Sequence, residues 1–264
     1  MRNLITRSIS GLVYAIIFIS AILFSAETYL GLLAVFTAIC IFEFSKIIQF
    51  KSYVPYVILA FIVYCLITEK ALFTYPFLLG ISLFFLIKFL YQLITNKTIS
   101  TENVNQKTLL NFTYLILPFF FLMSLPFING EYHSNIIIAI ILIIWTNDSF
   151  AYLVGKNFGK HKLFEKVSPK KTIEGFVGGL VFAIIAGLII SKSVTIFSTT
   201  NWIFIAIIVS VFGTLGDLVE SKFKRQANIK DSGNIMPGHG GLLDRLDSLF
   251  FLAPFVYLYI HYII

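Results

Sequence analysis

Between Gly216 and Ser248 an otherwise apolar chain gathers acids, bases, glycines and a histidine: GDLVESKFKRQANIKDSGNIMPGHGGLLDRLDS. From Ser221 to Asp247 the order is S-x-x-K-R-x4-K-D-x5-P-G-H-G-G-x2-D-R-x-D. If the apolar helix ahead of this stretch continues past Gly213, then Asp217, Ser221 and Lys224 share one of its faces. That face suits a metal-binding carboxylate with phosphate-binding groups one and two turns beyond it. Glu220 points elsewhere and reads as a surface residue. After Lys230 and Asp231, Gly233, Pro237, Gly238, Gly240 and Gly241 break the helix and let backbone N–H groups face an oxygen-rich ligand. Asp244 and Asp247 stand one turn apart where the next apolar run begins, and Arg245 between them offers a planar fork for phosphate. His239 reads as a residue that orients a neighbour or donates a hydrogen bond rather than as a base. Lys224, Arg225 and Lys230 also have a plainer account, as a solvated charge run.

A second polar region precedes this one. Asp148, within Trp145-Thr146-Asn147-Asp148-Ser149, interrupts an apolar run. A carboxylate at that depth costs at least ~2.5 kcal/mol on insertion scales, so it is expected to face a polar cavity and to have a cationic partner. From Lys156 to Lys171 six lysines stand against one acid, Glu165. Ser168-Pro169 reads as an N-cap with proline at N1, which places Lys170, Lys171 and Thr172 in the first turn of the next helix. Lysines at the positive end of a helix dipole are unfavourable unless an anion sits there, which points to a phosphate site. Membrane topology and attraction to anionic lipids are the plainer account.

Membrane helices must position these groups. The chain has 264 residues, of which 58% are hydrophobic and only 12% charged, and its mean hydropathy is +0.90. That is more apolar surface than one soluble core hides. A helix needs roughly 20 apolar residues to cross a bilayer. Candidate spans lie near 9–24, 29–43, 53–68, 71–90, 109–128, 134–155, 174–191, 201–219 and 246–264. The expected fold class is an all-α polytopic membrane protein with about nine transmembrane helices. With Arg2 and Arg7 cytoplasmic, those crossings place Lys46, Lys51, Lys88, Lys97, Lys107, the lysines of 156–171 and the run from Lys222 to Arg245 on the same side, leaving Lys70 and Lys192 outside. The N-terminus is then cytoplasmic, the C-terminus outside, and both polar loops share one compartment.

Residues 1–108 read as a membrane scaffold and 109–264 as the region that carries the chemistry, with 91–107 as a linker between them. The net charge of +7 follows from the loop asymmetry. Nucleic acid is not expected as a partner, because that needs a basic soluble face with aromatic platforms, whereas the 29 Phe lie mainly in lipid-length runs. Arg2, Arg7 and the run from Ile9 to Phe24 read as an uncleaved first helix rather than a signal peptide ending at Ser25-Ala26. Glu43 and Lys46, spaced i, i+3, read as an ion pair at a helix end. Cys40 and Cys65 read as packing residues, and Pro118 and Pro126 as shaping ones.

Three stretches resemble bacterial members of the phosphatidate cytidylyltransferase (CDP-diacylglycerol synthase) family. They are the long motif above, D-S-F-A-Y-x2-G-K-x-F-G-K from Asp148 to Lys160, and S-P-K-K-T-x-E-G-F-x-G-G from Ser168 to Gly179. Ile173 departs from the pattern, standing where an aromatic residue is common, and residues 1–108 match in hydropathy only. The resemblance implies a membrane enzyme of phospholipid biosynthesis that transfers CMP from CTP to phosphatidic acid, giving CDP-diacylglycerol and pyrophosphate. It implies Mg2+ as cofactor, a site on the cytoplasmic side of a bacterial inner membrane, and a homodimer. On this reading Asp217 and Asp244 are metal ligands, and Asp148 and Asp231 complete a second cation site, for which the resemblance suggests K+. Lys170, Lys171, Lys224, Arg225, Lys230 and Arg245 are phosphate clamps shared between nucleotide and lipid, with Thr172, Ser221, His239 and Asp247 in the same substrate site. The lipid phosphate arrives already ionised, which agrees with the lack of a Ser-His-Asp or Cys-His arrangement.

Two rivals explain less. A CDP-alcohol phosphotransferase would carry D-G-x2-A-R followed by G-x3-D-x3-D, a spacing this chain lacks. A transporter or scramblase accommodates a buried Asp148 and broken helices but leaves the two phosphate-binding loops unexplained. For dimerisation, Gly175 and Gly179 have G-x-x-x-G spacing and serve equally well to clear space for a ligand.

Overall fold

The computed structural model describes residues 2–68 and 75–264, with side chains from residue 6 onward. Lys70 and the start of the expected fourth span lie outside the described residues. Apolar runs of lipid length become helices because a helix satisfies every backbone polar group internally. In chain order these are α1 (Arg2–Phe24), α2 (Ala26–Ile47), α3 (Val54–Ile67), α4 (Tyr75–Ile94), α5 (Val104–Leu110), α6 (Leu117–Ser124), α7 (Ser134–Phe158), α8 (Ile173–Ile190), α9 (Thr199–Gln226) and α10 (Leu243–Leu258). A π-helical turn, Asn111–Ile116, joins α5 to α6 in one rod, and a second, Tyr259–Ile263, extends α10.

Among the described residues, eight rods are long and apolar enough to cross a membrane. α3 is the exception: its 14 residues give ~21 Å of helix against a hydrocarbon core of ~30 Å. The expected nine spans therefore become eight of lipid length and one short apolar helix. The fifth rod starts earlier than the hydropathy suggested, at Val104, where Asn103 and Gln106 form a reciprocal capping box. Its π turn falls just before Pro118, whose ring and missing N–H oppose a regular helix there. The rod stops at Ser124, and β1 (Phe127–Ile128) and β2 (Glu131–Tyr132) form a small hairpin across Asn129-Gly130, both with positive φ.

The largest departure lies ahead of α8. Ser168 does not cap a helix; β4 (Ser168–Thr172) pairs antiparallel with β3 (Lys162–Phe164), and the helix begins one residue after Thr172, whose Oγ1 accepts from Gly175 N at 3.1 Å. Lys170 and Lys171 are thus strand residues, and the acid in the first turn of α8 is Glu174. Its carboxylate gathers Lys160 N, His161 N and His161 Nδ1, the last at 2.6 Å, and so ties the preceding loop to the start of the helix.

α7 and α8 pack along a glycine seam. A Cβ on Gly175 would lie 2.7 Å from Ala151 O, on Gly178 2.6 Å from Val154 Cγ2, and on Gly179 2.8 Å from Asn147 O. Gly175 and Gly179 therefore serve close packing within the chain. Gly179→Val is expected to cost about 1–3 kcal/mol through overpacking, read as a lowered thermal midpoint in detergent, whereas Val181→Ala on the exposed side of α8 leaves the midpoint in place. An aromatic cluster of Phe44, Phe89, Tyr114, Phe223 and Phe250 ties α2, α4, the π turn, α9 and α10 together. Cys40 is buried and Cys65 half-buried, both as free thiols.

Candidate active site

α9 runs unbroken through Asp217 to Gln226, so the sequence pattern is realised as one helical face, with Ser221 Oγ donating to Asp217 Oδ1 at 3.2 Å. Gly216 decides how near α10 can come: a Cβ there would sit 2.6 Å from Phe251 Cβ and 2.9 Å from Asp247 O. That approach sets Asp247, at the start of α10, beside Asp217. One carboxylate oxygen each from Asp217, Glu220 and Asp247 lie within 4.8 Å of one another, a spacing that oxygen ligands of a small divalent cation can adopt.

Glu220 corrects the sequence expectation. It is fully buried rather than on the surface, because its side of α9 faces α10. Lys224 Nζ lies 2.5 Å from Glu220 Oε2 and 2.6 Å from Asp244 Oδ1. Glu220 Oε1 is buried with no hydrogen-bond partner among the described residues. Four carboxylates, of Asp217, Glu220, Asp244 and Asp247, meet two ammonium groups, since Lys171 reaches Asp217 Oδ2 at 2.5 Å from strand β4. The excess negative charge and the orphaned oxygen fit a bound cation.

Asp244 has a different occupation. Besides Lys224 it accepts Ser232 N at 3.0 Å and Gly241 N at 2.8 Å, pinning both ends of the 228–242 loop. Within that loop Met236 and Gly240 form a bridge, and Gly238 and Gly240 have φ of +78° and +104°, a region that favours glycine. His239 lies against α1: its Nδ1 is 2.9 Å from Ser10 Oγ, and its carbonyl accepts from Arg245 Nη2 at 3.0 Å. Burial first, then the Arg245 and Arg7 guanidinium charges, hold the His239 imidazole below its usual range.

These groups surround a cavity of about 510 Å³. Asp217, Lys224, Asp231, His239, Asp244, Arg245 and Asp247 line its polar side, and Asp148 faces it from α7. Phe18 of α1, Ile141, Ile144 and Trp145 of α7, and Leu249 make its apolar wall. Asp148 thus faces a polar space as expected, but the contact it makes is with Asn147 Nδ2 at 3.1 Å, while Lys171 pairs with Asp217. The other expected clamps stand farther out. Lys170 and Lys230 are exposed, Arg225 holds the turn after its own helix through Ile229 O at 2.8 Å, and Thr172 is buried at the α7–α8 seam.

The sequence reading missed contributions from the N-terminal helices. Ser10, Gly11 and Tyr14 of α1 border the cavity or its loop. Glu43 of α2 makes no pair with Lys46, whose Nζ sits 4.0 Å above the Phe42 ring. It turns inward instead, where Leu243 N at 2.8 Å and Ser232 Oγ at 3.3 Å donate to its carboxylate. An acid within an apolar span was the available signal, but the partner stands some two hundred residues away.

A family model described as the cytidylyltransferase family matches residues 5–263. Over 128 residues the chain is 48% identical to the phosphatidate cytidylyltransferase of Bacillus subtilis (strain 168), covering 48% of each protein. Over 115 residues it is 52% identical to the phosphatidate cytidylyltransferase of Staphylococcus saprophyticus and 54% identical to that of Staphylococcus aureus (strain COL), in both cases over 43% of this chain and 44% of the relative. The chain spans about half the length of the curated relatives it matches.

Proposed function

The chain belongs to the cytidylyltransferase family, and from that premise we propose that it transfers CMP from CTP to phosphatidic acid, releasing pyrophosphate and CDP-diacylglycerol. One observation carries this reading: a single cavity joins an apolar wall from α1 and α7 to an acidic, metal-capable cluster. A lipid lays its chains along the first and its phosphate against the second. A phosphate oxygen of the lipid attacks the α-phosphorus of CTP, the bond from that phosphorus to the bridging oxygen breaks, and pyrophosphate leaves with the electron pair.

A divalent cation, Mg2+ on the family resemblance, supplies charge neutralisation and Lewis-acid polarisation of the triphosphate when bound. Asp217, Glu220 and Asp247 would hold it. Asp244 belongs to the catalytic group by fixing Lys224 and the loop. Lys171, Lys224 and Arg245 steady the phosphates, with Ser221 and His239 beside them; Lys170, Thr172, Arg225 and Lys230 serve at the rim or in support of it. Asp148 and Asp231, both at the cavity edge, are the acids for a second cation, K+ on the resemblance. The lysine and arginine asymmetry supports a cytoplasmic site in a bacterial inner membrane, with a cytoplasmic N-terminus and an outer C-terminus, an alternation that requires α3 to cross. A homodimer is supported by the resemblance alone.

The test is to mix the detergent-purified protein with labelled CTP, phosphatidic acid and Mg2+. Pyrophosphate and labelled lipid are expected in equal amounts, lost when either substrate is omitted or the metal is chelated. No pyrophosphate from the complete mixture overturns the proposal.

A further inference from the structure

We propose that Glu43 of α2 is a positioning residue that sets the shape of the 228–242 loop and the start of α10. Glu43 is 1% exposed within a helix of lipid length, a costly place for a carboxylate without a purpose. Leu243, whose N–H donates to Glu43 Oε2, is the first residue of α10, and that N–H is among the donors a helix start leaves unsatisfied. A side chain from a distant helix therefore caps α10.

Steric fit gives the second line of support. A Cβ on Gly233 would collide with Glu43 Oε1, and one on Gly241 would lie 2.6 Å from Oε2. Two glycines of the loop thus make the cradle in which the carboxylate rests. Ser232 is held from both directions, its hydroxyl by Glu43 and its N–H by Asp244. Releasing Glu43 frees one side of that clamp, so Asp244 and its partner Lys224 lose their fixed orientation toward the cavity. The catalytic part of this inference rests on the proposed function, whereas the structural part does not.

Three substitutions separate reach from charge. Glu43→Gln keeps both the length and an acceptor oxygen. Glu43→Asp keeps the charge but withdraws it by one methylene, ~1.5 Å. Glu43→Ala removes everything. Loss of both hydrogen bonds is expected to lower kcat for CMP transfer about tenfold or more and to speed amide exchange over 228–243, with exchange across Ile173–Ile190 unchanged. Ala and Asp show both effects, and Gln restores both. The inference is overturned if Glu43→Ala leaves loop exchange unchanged, if exchange rises throughout the protein, or if Gln does not recover what Ala loses. A wild-type protein that fails to turn over CTP sinks the functional reading instead, and the exchange measurements still decide the role of Glu43.

Discussion

Asp217→Asn is expected to lower CTP-dependent turnover about a thousandfold or more while the protein still folds and inserts. The substitution is nearly isosteric. The amide oxygen can still accept from Ser221 Oγ, and the neighbours on α9 keep their packing. What disappears is one negative charge on the half-buried, cavity-facing member of the Asp217, Glu220, Asp247 group. On the proposed function a divalent cation held by these three carboxylates would lose a ligand and a full charge at once, and Lys171 loses its partner. Lys171→Met separates the two consequences: it removes the ammonium group but no metal ligand, so KM is expected to rise with a smaller fall in kcat. Mn2+ binding followed by its magnetic resonance signal gives a readout apart from turnover, weakened in Asp217→Asn and retained in Lys171→Met. Near-wild-type turnover by Asp217→Asn removes the metal role from this residue.

The placement of Asp217 on one face of α9 with Ser221 was legible in the sequence because its signal is local. A carboxylate at the end of an apolar helix, with Ser221 and Lys224 on the same face, needs only the helical period to be read. The lipid-length helices were legible for the same reason, since hydropathy and length decide them. The start of α8 is not legible in the sequence because Ser168-Pro169 is also a good strand opening. Pairing with Lys162–Phe164 satisfies the backbone there, and Thr172 then makes the cap. The surroundings of Glu220 and Glu43 are hidden from the sequence for a different reason. A residue's spacing tells which side of its own helix it occupies, not which other helix lies against that side. Gly216 lets α10 approach and so buries Glu220, while Glu43 meets donors from the loop ahead of α10. Those partners are set by tertiary packing, which one sequence does not display.

The same packing makes Lys224 the residue whose loss is expected to harm the fold most. It is 7% exposed, with Glu220 Oε2 at 2.5 Å and Asp244 Oδ1 at 2.6 Å. Lys224→Met removes the ammonium group between two carboxylates that sit beside Asp247. Breaking a buried ion pair on one side costs about 3–5 kcal/mol, because the remaining charge stays buried and unpaired. That is a large part of the 5–15 kcal/mol by which a typical domain is stable. A steep fall in thermal midpoint is therefore expected along with the loss of turnover. The double variant Lys224→Met, Glu220→Gln removes one of the stranded charges and is expected to regain much of the midpoint but none of the activity. Mg2+ bound as proposed would supply the missing positive charge in the single variant, so adding it is expected to raise the midpoint more there than in the wild type. If the single variant melts with the wild type and gains nothing from Mg2+, Lys224 is not the counter-charge that holds these carboxylates together.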